Sequence, residues 1–117
     1  MTDTALRDLT QRLRTFADVR DWQKFHSPKN LTMAVAVESA ELMEHFQWLT
    51  EQQSLTLAPA QREEVALEMA DVFLYLLRLA DCLDVDLLSA AAHKIELNEK
   101  KYPPERVRGS ATKPRRD

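Results

Sequence analysis

Between positions 67 and 80 the chain reads Leu67-Glu68-Met69-Ala70-Asp71-Val72-Phe73-Leu74-Tyr75-Leu76-Leu77-Arg78-Leu79-Ala80. The polar positions are Glu68, Asp71, Tyr75 and Arg78, spaced i, i+3, i+7 and i+10. A helix of about 3.6 residues per turn places all four on one narrow stripe and leaves the rest of its circumference apolar. Such a helix is buried on most sides. Its acids then look either into the interior of a bundle or along a thin exposed seam.

A second acidic pair lies upstream. From Leu31 to about Leu49 the pattern is again helical, and the apolar run Met33-Ala34-Val35-Ala36-Val37 leads directly into Glu38 and Glu41. These two are three residues apart, so they leave one face about 4.5 Å apart along the axis. Traced backwards, that face meets Ala34 and Leu31, whereas a solvated face would stay polar in both directions. Either pair alone is ordinary surface decoration. Two pairs on consecutive helices, each set into an apolar run, point to a shared site.

If the pairs face each other, two carboxylates about 5 Å apart repel by roughly 3 kcal/mol at an effective dielectric near 20, and four multiply the penalty. Such a cluster calls for a cation. An all-oxygen donor set without Cys or His in the pattern suits Mg²⁺, or Mn²⁺ in its place, rather than Zn²⁺. Mg²⁺ on a few carboxylates keeps waters and takes substrate phosphates as further ligands, which points to phosphoryl chemistry.

Outward from these helices, Leu6, Leu9, Leu13 and Phe16 mark an amphipathic first helix from near Thr4 to about Asp18. The stretch Arg20 to Asn30 carries aromatics and a proline without a sustained period and reads as a structured loop, with Asn30 or Ser27 available as a cap. The polar linker Thr50–Ala58 reads as mobile. Pro59 suits the first turn of the third helix, which runs to about Leu83. Asp86 caps a fourth helix, Leu87 to about Lys101, which Pro103-Pro104 stops. The fold class is therefore all-α, a four-helix bundle-type single domain over residues 1–102. Residues 103–117, with five Arg or Lys against two acids, read as a solvated, disordered basic tail.

The 117 residues include a single Gly, which disfavours folds built on many tight turns. The net charge of −3 becomes about −6 once the basic tail is set aside, so the body is a poor nucleic-acid surface. The longest apolar run, Val72–Leu77, is far shorter than the roughly 20 residues of a membrane span, and the N-terminal residues lack a signal-peptide core. A soluble, cytoplasmic protein without nucleic-acid or membrane partners is the expectation. The lone Cys82 reads as a buried hydrophobe.

Glu38-Ser39-Ala40-Glu41, 26 intervening residues and Glu68-Met69-Ala70-Asp71 resemble the ExxE…ExxD signature of the MazG-type all-α nucleoside triphosphate pyrophosphohydrolases. Val37 stands where the broader pattern often has a further Glu. A more specific likeness, to the dCTP pyrophosphatase branch, covers roughly residues 6 to 103. It rests on Arg20-Asp21-Trp22, Phe25-His26, Pro28-Lys29-Asn30-Leu31, Glu41-Leu42, Phe46-Gln47-Trp48, Asp81 through Leu87, Lys94, Asn98 and Lys101-Tyr102-Pro103.

The resemblance implies a Mg²⁺ site at Glu38, Glu41, Glu68 and Asp71. It also implies that Trp22 and Trp48 enclose the base, Tyr75 touches the nucleotide, and Lys94 with Asn98 reaches the phosphates; His26 and Tyr102 are counted with these substrate contacts. Spacing agrees in part: Trp48 is seven beyond Glu41, Tyr75 four beyond Asp71, and Lys94, Asn98 and Tyr102 recur at i, i+4 and i+8. Trp22 has a plainer reading as a plug at the bundle end, and Trp48 as core. Branch members can carry a polar aromatic one turn before Phe16, where this chain has Leu13. That weakens the claim to cytosine more than the claim to the chemistry.

The reaction implied is hydrolysis of a nucleoside triphosphate, dCTP or a modified dCTP foremost, to monophosphate and pyrophosphate, with Glu41 or Glu38 accepting a proton from the attacking water. This would cleanse the nucleotide pool. Four helices of this length leave apolar surface for a homodimer or homotetramer, as the family also suggests. One rival, a di-iron carboxylate bundle, requires Glu-x-x-His, which neither motif supplies. The other is a non-catalytic nucleotide-binding or helical interaction module.

Overall fold

Proline and short polar side chains set where the helices begin, and two aspartates set where two of them stop. The computed structural model describes residues 4–111. Helix α1 spans Thr4–Val19 and turns Leu6, Leu9, Leu13 and the fully buried Ala17 inward. At its end Trp22 N–H donates to Ala17 O (2.9 Å) and Asp21 N–H to Asp18 O (3.1 Å), with Asp21 left-handed at φ 54°. This is a Schellman motif with aspartate where glycine is usual. Its signature contact between the residue after the turn and the last helical turn is here the edge-to-face pair Trp22–Phe16, centroids 5.7 Å apart.

A 3₁₀ turn, Gln23–Phe25, leads into α2, Pro28–Glu44. Ser27, rather than Asn30, is the N-cap: its Oγ accepts from Asn30 N–H at 3.1 Å, while the Asn30 side chain donates to Phe25 O. Helix α2 ends five residues before the expected Leu49, because Phe46 N–H turns back to Met43 O and Leu49 N–H to Phe46 O. The linker expected to be mobile contains a helical turn, α3, Glu51–Ser54, held by a capping box between Thr50 and Gln53.

Helix α4, Pro59–Cys82, closes with a second Schellman motif: Val85 N–H to Ala80 O (2.8 Å), Asp84 N–H to Asp81 O (3.2 Å), Asp84 at φ 54°. Helix α5, Leu87–Lys101, is capped by Asp86 through Ser89 as expected. The stretch read as a structureless tail opens with one helical turn, α6, Pro104–Val107, after which Gly109 takes φ 76°. Residues 112–117 lie outside the described residues.

The described residues contain no strand, so the all-α fold and the four long helices are as read. No helix among them is long and apolar enough to cross a membrane. The chain divides into two compact units, one carrying α1 to α4 as far as Val85, the other carrying α5 and α6 from Asp86. In the first, α4 packs mainly along α2 and to a lesser extent against α1. The buried apolar residues among the described ones are Ala17, Leu31, Val65, Leu77 and Ala80. Cys82 is exposed rather than buried, because it is the last residue of α4, where its Sγ lies 3.6 Å from the carbonyl of His26.

Candidate active site

The pairing of α2 with α4 brings the two acidic motifs together. Carboxylate oxygens of Glu38, Glu41 and Glu68 lie within 4.8 Å of one another. Asp71 stands outside that set, one turn along α4, although its carboxyl adds to the field at Glu38 and interacts with Glu68. Three of the four expected carboxylates therefore form the centre, and Asp71 flanks it.

The cluster holds its charge under strain. Glu68 is pushed up to about 7, first by desolvation and then by Glu41, Glu38 and Asp71 around it. Glu38 is raised as well, first by desolvation and then by Glu41. Glu38 Oε2 is buried without a hydrogen-bond partner, in surroundings supplied largely by other carboxylates. A buried acceptor with no donor, set among like charges, is a poor arrangement for a carboxylate alone and a good one for a divalent cation. The donors are all oxygen, so the residues fit a hard cation.

Asp71 also lines the neighbouring cavity, which has a volume of about 430 Å³ and is walled by Leu9, Leu13, Phe16, Trp22, Leu74 and Tyr75, with Arg12, His26 and Arg78 as its other polar groups. Most of this lining is apolar or aromatic, and the volume lies in the usual range for small-molecule sites. Trp22, His26 and Tyr75, which the sequence proposed as substrate contacts, meet here. The Schellman turn after α1 is what delivers Trp22.

Trp48 does not join them. Helix α2 has ended before it, so the seven-residue spacing from Glu41 no longer implies a shared face, and the residue is 86% exposed on the turn that follows. Lys94 and Asn98 lie on α5 and Tyr102 at its C-cap, in the second unit, with Lys94 exposed and the other two half-buried.

Sequence reasoning missed Arg14 and Asp81 and gave Arg78 no task. Asp81 accepts from Arg14 Nε at 2.8 Å and from a second Arg14 nitrogen, and from Arg78 at 3.1 Å; Arg78 Nε donates to His26 Nδ1 at 3.3 Å. The Arg14 guanidinium, with Arg78 assisting, holds the Asp81 carboxyl below its ordinary range. The one available signal was Arg78 itself, a cation on the polar stripe of an otherwise apolar helix.

The chain matches the MazG-like family over residues 33–113. It is 39% identical over 114 residues to dCTP pyrophosphatase 1 of Bos taurus, covering 96% of this chain and 68% of that protein. Against dCTP pyrophosphatase 1 of Homo sapiens it is 38% identical over 113 residues, 95% of this chain and 66% of that one. The chain thus spans about two thirds of the length of these relatives. A crystal structure of a pyrophosphatase from Archaeoglobus fulgidus superposes with a TM-score of 0.81 at 38% identity, covering 88% of this chain and 96% of that one.

Proposed function

The chain belongs to the MazG-like family, and from that premise we propose that it is a divalent-metal-dependent pyrophosphohydrolase of nucleoside triphosphates, dCTP or a base-modified dCTP foremost. The observation that carries this reading is the adjacency, through Asp71, of two things: a carboxylate trio within 4.8 Å and a largely apolar cavity of about 430 Å³. One suits a cation and phosphates, the other a nucleoside.

Glu38, Glu41 and Glu68, with Asp71 beside them, would hold Mg²⁺ or Mn²⁺, which when bound neutralises the triphosphate and polarises the phosphorus under attack. Glu41 or Glu38 takes the proton of the attacking water. Trp22 and Tyr75 flank the base and sugar. The roles of Lys94, Asn98 and Tyr102 at the phosphates, and of Trp48 at the base, follow from the family resemblance. Trp48, so exposed here, is assigned to the site of a neighbouring copy. On this reading the protein is a homodimer or homotetramer in the cytoplasm, cleansing the nucleotide pool.

The test is a panel of nucleoside triphosphates with and without Mg²⁺, scoring monophosphate plus pyrophosphate separately from diphosphate plus phosphate. Pyrophosphate release only with metal, greatest for a cytosine nucleotide, is the expected result. Binding without turnover would instead identify a non-catalytic nucleotide-binding module.

A further inference from the structure

Arg78 is the one buried charged residue among those described, at 8% exposure. It lies on the inward stripe of α4 and lines the cavity together with His26, Trp22 and Tyr75. A buried guanidinium persists only where its charge is paired and its donors are used. Arg78 donates to Asp81 Oδ2 at 3.1 Å, and Asp81 is gripped in turn by two nitrogens of Arg14 from α1. Its Nε donates to His26 Nδ1 at 3.3 Å. The chain Arg14–Asp81–Arg78–His26 thus runs from α1 across α4 to the segment that also carries Trp22.

Guanidinium has five N–H donors, no acceptor, and does not lose its proton. The imidazole nitrogen facing it must therefore be the bare one. A neutral ring with Nδ1 accepting carries its proton on Nε2, and desolvation together with the Arg78 charge disfavours the doubly protonated ring. His26 and Arg78 then offer hydrogen-bond donors alone.

We propose that Arg78, anchored by Asp81 and Arg14, is a positioning residue that locks His26 in its Nε2–H form, so that this wall of the cavity selects a nucleobase presenting two adjacent acceptors. The N3/O2 edge of cytosine does so. Uracil and thymine present N3–H, which would set donor against donor. The inference deepens the reading of the cavity as a nucleoside site and depends on it, but not on turnover.

Two measurements test it. Nitrogen-15 NMR of the His26 ring in the free protein should show the Nε2–H tautomer, giving way to a mixture with Nδ1–H in Arg78→Met. Titration with dCMP and dUMP should show dCMP bound about tenfold more tightly, with Arg78→Met and Arg78→Lys each bringing the two nucleotides to near parity. Arg78→Lys keeps a cation beside Asp81 and lacks Nε, so it separates loss of the lock from loss of the fold. An Arg78 that is merely structural would weaken both nucleotides alike and leave their ratio unchanged; that result, or an Nδ1–H His26 in the wild-type protein, overturns the proposal. A protein that prefers dCMP yet releases no pyrophosphate refutes hydrolysis and upholds the lock. One that releases pyrophosphate with an unaltered nucleotide ratio in the variants refutes the lock alone.

Discussion

Helix α4 turns two faces in unexpected directions. Glu68 on its polar stripe meets the acids of α2, and Asp71, Tyr75 and Arg78 look onto the cavity beside α1. Its apolar row Met69, Phe73 and Leu76 stays 56%, 40% and 37% exposed. A helix on the surface of a lone globular domain has the opposite arrangement. Helix α2 repeats the inversion, with Glu38 in the cluster and Met33, Val37 and Met43 exposed. On the function proposed above, polarity along these helices follows what each face is to meet: a cation and substrate on one side, a second copy of the chain on the other.

The largest effects should come from the inward face. Glu41→Gln or Glu68→Gln should reduce pyrophosphate release by about three orders of magnitude in a steady-state assay, since each removes a ligand where charge must be neutralised. Without metal the same variants should melt at or above the wild-type temperature, because a like charge has left the cluster. Unaltered turnover in either would dissolve the functional meaning of the inward stripe.

The outward face should answer differently. Phe73→Asp should keep the helical circular dichroism signal but lower the mass seen by light scattering, because a carboxylate buried between copies weakens their association by about 3 kcal/mol, roughly a hundredfold. An unchanged mass would leave the exposed row without its partner.

pH separates the faces again. In the metal-free protein Glu68 titrates at about 7 rather than 4.5, so between those values the folded chain holds protons that the unfolded chain releases. That contribution to stability is complete below about 4.5 and is lost as pH rises through about 7. The metal-free melting temperature should therefore fall over this window, and added Mg²⁺, which displaces the protons, should restore it most strongly at the alkaline end.

The smallest effect belongs to the turns that set where α1 and α4 stop. Asp84→Gly relieves an aspartate at φ 54° and should stabilise by about 1 kcal/mol, read as a melting temperature higher by several degrees. A decrease would mean that the Asp84 side chain supports the turn more than its backbone strains it.

What could be read from the sequence was what repeats with the helical period. The stripe on α4, the acids of α2, the start at Pro59 and the cap at Asp86 are local signals, and local signals survive without a structure. The helical face expected to join Trp48 to Glu41 is absent because a period extrapolated past Glu44 takes no account of where a helix ends, even though Thr50-x-x-Gln53 already marked a new start. The ends of α1 and α4 fall within one residue of where the sequence puts them, but the left-handed stops at Asp21 and Asp84 were not legible, since the residue that usually advertises one is glycine. The Arg14–Asp81–Arg78–His26 chain joins residues up to 67 positions apart, and no spacing within one helix announces such a link.

Isothermal titration of the metal-free protein with Mg²⁺, at a pH above 7, addresses the inward carboxylates most directly. Saturable binding with proton release, weakened at least about tenfold in Glu38→Gln, is the predicted outcome. No binding, or binding that Glu38→Gln leaves untouched, would contradict the assignment of these carboxylates to a cation.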